Sequence, residues 1–162
     1  MVEFALLSPL LILVLLLTID FGRLMYTYAA ISWAAREGAR LVSLSPNITT
    51  DCPVLQRVES VGRGFPIQAD PNSVAGDTDP NSPGTPGPTF PPPAGRGYVY
   101  IFPAVASSPP DTNCAGSPRV INPATHDVAV EVTYGYTPLV PLFQGFIPNI
   151  PIRTISVVHV EY

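Results

Sequence analysis

The chain contains no lysine: all eight of its basic residues are arginine, set against 12 acidic residues in a total of 162, for a net charge of −4. That absence removes Schiff-base chemistry and the phosphate-gripping lysine of a P-loop. The arginines are scattered along the chain, so nothing tracks a phosphate backbone and nucleic acid is not expected as a partner. Histidine is scarce too. His126 and His159 stand far apart, and the two cysteines, Cys52 and Cys114, lack CxxC spacing, which argues against a zinc site. No GxSxG or HExxH occurs, and Asp20-Phe21-Gly22 matches the kinase magnesium motif in letters only, without the other kinase elements. No catalytic residues, metal or cofactor are expected, and the chain reads as non-enzymatic.

What is abundant is unevenly placed. Residues 4–19 carry no charge and are interrupted only by Ser8, Pro9 and Thr18. Continuing through Phe21 to Met25 gives the roughly 20 residues that cross a bilayer core. A cleaved signal peptide carries Lys or Arg where Glu3 stands and closes with small residues; neither is seen, so the segment is expected to be retained. Beyond it the pattern turns amphipathic. Ala30, Ala34 and Gly38 recur every four residues, with Ala35 and Ala39 on an adjoining row. This spacing lets helix backbones approach closely, although alanine is also simply a strong helix former. One helix is predicted from residue 2 to about residue 44, stopped by Pro46. At 1.5 Å per residue it is ~65 Å long, more than a bilayer needs, so its second half must pack on protein. Pro9 removes the backbone bond to the Ala5 carbonyl and predicts a kink or a loosened turn.

Residues 51–63 predict a second helix, with Asp51 as N-cap and Val54, Leu55, Val58 and Val61 as its apolar stripe. Residues 64–97, rich in Pro, Gly and small polar residues, read as an irregular loop, partly polyproline II. Such a stretch cannot fold on its own. In an exported domain Cys52 and Cys114 read as a disulfide closing this loop; two separate buried thiols are the alternative. Strands are predicted at 98–102, 127–136 and 152–162. In the second, Val128, Val130, Val132, Tyr134 and Tyr136 face one way, with Asp127, Glu131 and Thr133 opposite, which predicts a sheet covered on one face. The connection 138–151 is unusually apolar for a loop and should pack on the sheet and helix or on an adjacent subunit. The repeat of Asp70-Pro71-Asn72-Ser73 at Asp79-Pro80-Asn81-Ser82 reads as tight turns. A calcium loop begun by Asp77, Asp79 and Asn81 is the weaker reading, since its turn glycine is displaced to Gly84 and no closing Glu follows. Asn47-Ile48-Thr49 fits the N-glycosylation triplet, a motif short enough to arise by chance.

Three motifs occur in order: Val2-Glu3-Phe4-Ala5-Leu6, Ile19-Asp20-Phe21-Gly22-Arg23 and Ala34-Ala35-Arg36-Glu37-Gly38-Ala39-Arg40. On these the first quarter of the chain resembles the TadE-like proteins of tight-adherence pili, a branch of the type IV pilin superfamily. Val128-Ala129-Val130-Glu131-Val132-Thr133-Tyr134 and Pro138-Leu139-Val140-Pro141 agree more loosely. The resemblance implies an α+β pilin shaped like a lollipop. A helix over 1–45 would serve membrane and filament core, and a head over 46–162 would carry a small antiparallel sheet and the 64–97 loop. It further implies processing by a prepilin peptidase, insertion in the cytoplasmic membrane, and handling by the inner-membrane assembly machinery. The end point is polymerisation with copies of itself or sister pilins into an extracellular filament. Family members are often regarded as minor pilins, so a tip or priming role stands beside that of a major subunit. A single-pass, membrane-anchored binding protein is a third reading. The pattern's basic leader and cleavage-point glycine do not stand before Glu3, as expected of a mature chain or of one whose leading residues lie outside this sequence.

The charges near the helix have definite candidate roles. Glu3 favours the positive end of the helix dipole. Buried among packed helices it needs a cation, which the processed N-terminal amine of a neighbouring subunit would supply, setting axial register; the alternative is a Glu3 at the lipid–water interface with no specific role. Asp20 and Arg23, one turn apart, either pair within the helix or mark the end of the membrane segment. Arg36, Glu37 and Arg40 either bridge subunits or form a solvated face. The candidate assembly residues are thus Glu3, Pro9, Asp20, Arg23, Ala30, Ala34 and Gly38. A large residue at Ala34 or Gly38 is expected to impair assembly and leave the head folded.

Overall fold

The computed structural model describes residues 2–44, 51–72, 87–102, 127–140, 144–145 and 147–159. Helix α1 (Val2–Leu44) has the predicted bounds and continues through Pro9. Helix α2 (Cys52–Val61) follows, with Val54, Leu55 and Val58 buried. Asp51 occupies its N-cap position, but the side chain makes no capping hydrogen bond. Pro53 in the first turn has no N–H and so needs no cap at that position.

Four strands form one sheet in the order β1 (Ile67–Ala69), β2 (Gly97–Phe102), β3 (Asp127–Tyr136) and β4 (Ile150–His159). β3 has the bounds its alternation predicts, and it pairs antiparallel with both β2 and β4. β1 was not predicted, because three residues inside a Pro/Gly-rich stretch offer no alternation to read. It pairs parallel with β2, so the sheet is mixed, not antiparallel throughout. Parallel neighbours require a long crossover, and the Pro-rich stretch between β1 and β2 is that crossover.

Its described ends are held by local hydrogen bonds. The buried Asp70 carboxylate accepts from the backbone N–H of Asn72 at 2.8 Å and from the N–H and hydroxyl of Thr89, each at 2.7 Å. Asn72 Nδ2 donates to the Gly87 carbonyl at 3.1 Å. Further along, the Gly95 N–H donates to the Gly135 carbonyl at 2.7 Å, and Asn149 Nδ2 to the Pro92 carbonyl at 2.7 Å. Glycine is required at 135, where a Cβ would collide with the Pro93 carbonyl. Cys52 is buried at the start of α2, whereas Cys114, Asn47 and the Asp77–Gly84 stretch lie outside the described residues.

The core lies between the second half of α1, α2 and one face of the sheet. Ile31, Ala34, Ala35, Ala39 and Val42 meet Val54, Leu55 and Val58, and beneath them Val99, Ile101, Val128, Val130 and Val132. On β2 and β3 the other face, expected to meet solvent, is buried as well: Tyr100, Phe102 and Ala129 form a second cluster beside a fully buried Glu131, while Ile155 and Val157 of β4 on that face stay exposed. A buried carboxylate demands a cation. Arg153 of β4, diagonal to it in the register, supplies two parallel bonds, Nε–Oε1 at 2.6 Å and Nη2–Oε2 at 3.0 Å.

Candidate assembly site

Helix α1 changes character around Asp20. Before it, Phe4, Leu7, Leu10–Leu17 and Ile19 are exposed large apolar residues, in a helix long and apolar enough to cross a membrane. After it, from Ile31 onward, one flank is sealed into the head. Of the predicted site residues, Glu3 lies in α1, but its side chain is outside the described residues. Pro9 is on the exposed half and Ala30 is half-buried.

Ala34 and Gly38 are buried against the chain's own head. Ala34 is 0 % exposed, and a Cβ on Gly38 would stand 2.6 Å from Val58 Cγ2 and 3.4 Å from Val130 Cγ1. The close approach that the small-residue row predicts is therefore made by α2 and β3 of the same chain, not by the helix of another subunit. The expectation that a large residue here leaves the head folded is corrected accordingly. Spacing reveals that something comes close, but not what. Glu37 is likewise engaged within the chain, paired with Arg57 of α2 and 3.8 Å from Arg40.

Asp20 is the point where the head grips the helix. The Tyr136 hydroxyl donates to its Oδ1 at 2.5 Å and lies 3.1 Å from its backbone carbonyl. The Leu139 N–H points at both carboxylate oxygens, 3.1 Å from each. Arg23, the predicted partner, is at 3.9 Å, with its guanidinium 5.9 Å from the centre of the Tyr136 ring. Asp20 thus relies chiefly on donors from the head, and the pair within the helix is the looser contact. Burial, reinforced by the hydrogen bond and charge of Asp20, pushes the Tyr136 phenol up to about 12, which keeps it a neutral donor at ordinary pH. Tyr136 and Leu139 were not singled out as site residues. The available signal was an acid in an apolar helix, which needs a partner, together with an apolar connection that begins right after Tyr136. Beside this clamp an apolar pocket of about 180 Å³ opens between Leu17, Phe21 and Leu24 of α1 and Pro138, Ile147 and Ile150 of the head.

A helix with an exposed apolar first half, an acid at its midpoint and a small-residue row seating a head matches the order of the three motifs along α1. Residues 1–40 match the family of TadE-like proteins. The TadE-like segment covers the whole exposed half of α1 and the small-residue row as far as Arg40, and it ends before α2 and the sheet. No curated protein and no solved structure matches the chain. With its apolar helix and mixed-sheet head, the chain has a pilin-like α+β architecture.

Proposed function

We propose that this TadE-like chain is a structural pilin subunit that waits in the cytoplasmic membrane and polymerises through the first half of α1 into an extracellular filament. The observation that supports this most is the unbroken run of exposed large apolar side chains from Leu10 to Leu17, which the chain's own head leaves uncovered. Water cannot host such a surface, so lipid covers it first and neighbouring helices afterwards. Because lipid and a helical bundle are almost equally apolar, close packing and charge pairing decide assembly. Glu3 paired with a neighbour's processed N-terminal amine is the register-setting contact in this reading. A prepilin peptidase and the inner-membrane assembly machinery act on the chain, and its filament partners are copies of itself or sister pilins.

The TadE-like match also favours a second reading, a minor pilin at the tip or in priming, since that is the role the resemblance implies for many members. Cryo-electron microscopy of filaments sheared from producing cells, with mass spectrometry of the same sample, separates the two. A repeating unit built from this chain supports the major-subunit reading, and a trace quantity supports the minor one. Filaments that form while the chain stays wholly in the membrane fraction would defeat both and leave an anchored binding protein.

A further inference from the structure

The head reaches down along α1 farther than a membrane boundary at Asp20 would allow. From Phe4 to Arg23 the helix rises about 29 Å, almost the ~30 Å of bilayer hydrocarbon. A span that begins after Glu3 therefore ends near Arg23, and Leu17, Asp20 and Phe21 lie inside it. Asp20 tolerates this depth because its carboxylate takes hydrogen bonds from Tyr136 and Leu139 instead of water. The groups that reach Asp20 must then come down to the same level. Leu139 does so with its side chain 57 % exposed, and Ile147, on the wall of the pocket beside Leu17 and Leu24, is 50 % exposed. Singly such exposures are ordinary. Here Ile147 shares the pocket wall with Phe21 and the Leu139 N–H sits on Asp20, so both lie against the exposed apolar half of the helix.

We infer that before assembly the head is seated in the leaflet on its own side of the membrane, with Leu139 and Ile147 among lipid acyl chains beside α1. The pocket between Leu17, Leu24, Pro138 and Ile150 opens onto that same layer and takes an acyl chain end. The apolar character of the 138–151 connection, unusual for a loop, follows from this seat. Leaving the membrane then strips lipid from the head's underside as well as from the helix, which couples extraction to coverage by neighbouring subunits. The inference rests on α1 spanning the membrane.

Trp33 is the single tryptophan, so a Trp33→Phe chain accepts a reporter. Leu139→Trp, Ile147→Trp and, as a control in the span, Leu13→Trp are reconstituted separately at high lipid dilution. The vesicles are phosphatidylcholine carrying bromines either near the carboxyl end of the acyl chains or near the midplane. Leu13→Trp should lose fluorescence to midplane bromines. Leu139→Trp and Ile147→Trp should lose it mainly to bromines near the carboxyl end, with blue-shifted emission. If Leu13→Trp is quenched while both head reporters are not, the seat is overturned and the span stands. Blue-shifted head reporters without quenching would mean that a second copy covers the patch, which also overturns it. If Leu13→Trp itself is unquenched, the span fails and the inference fails with it.

Discussion

Tyr136 and Asp20, 116 residues apart in sequence, are joined by a hydrogen bond of 2.5 Å from phenol to carboxylate. It ties the last residue of β3 to the point on α1 where exposure gives way to burial. Asp20→Ala strands the Leu139 N–H and leaves the Tyr136 hydroxyl only the backbone carbonyl of residue 20, 3.1 Å away, and a buried donor left without an acceptor costs about 1–3 kcal/mol. Tyr136→Phe keeps the Leu139 bond and should cost less, about 1 kcal/mol. Thermal unfolding of the detergent-solubilised chain measures both. An Asp20→Ala protein that melts at the wild-type temperature would show that the clamp contributes nothing to stability.

The same pair sets an alkaline limit. Tyr136 is pushed up to about 12 from an ordinary 10.0, first by burial and then by Asp20. Between those values the folded chain keeps a proton that the unfolded chain loses. The contribution is therefore complete below pH 10 and vanishes as pH climbs through about 12. Tyrosinate absorbance of wild type minus Tyr136→Phe should show one late-titrating phenol, and Asp20→Asn should move it towards the ordinary value. A difference titration centred on the ordinary value in the wild type contradicts the clamp.

Gly38 packs under Val58, with only 2.6 Å between a would-be Cβ and Val58 Cγ2. Gly38→Ala should gain about 1 kcal/mol of helix propensity and lose about 1–3 kcal/mol to overpacking, for a net loss in head stability. Gly38→Leu should be worse. Val58→Ala makes room, so the double variant Gly38→Ala with Val58→Ala should be more stable than the sum of the two single changes, measured as a double-mutant cycle. Strict additivity would mean that the two sites do not press on one another.

If the chain is exported as proposed, Cys52 and Cys114 should form one disulfide. Peptide mapping without reduction should recover the two cysteine peptides linked. Replacing both cysteines by serine should lower stability by about 2–4 kcal/mol. Quantitative alkylation of both thiols in protein isolated from the cell surface decides against it.

Where the physics is local, the sequence was sufficient. The uncharged run from Phe4, the small-residue repeat and the stop at Pro46 predicted the bounds of α1, and strict alternation predicted those of β3 and the core-facing row from Val128 to Tyr136. Periodicity records which flank of an element meets apolar surroundings, so it can be read without knowing the surroundings. The TadE-like motifs were legible for the same reason, since they lie within one continuous helix. What the sequence could state only as a need was answered by the tertiary structure. An acid at position 20 needed a donor, and the fold brought Tyr136 and Leu139 to it. Small residues at 34 and 38 needed a close neighbour, and α2 and β3 of the same chain took the place expected for another subunit's helix. Glu131, placed by alternation on the side away from the core, was buried there with Arg153 above it. Each of these partners is distant in sequence, and only the folded path of the chain decides which distant group arrives.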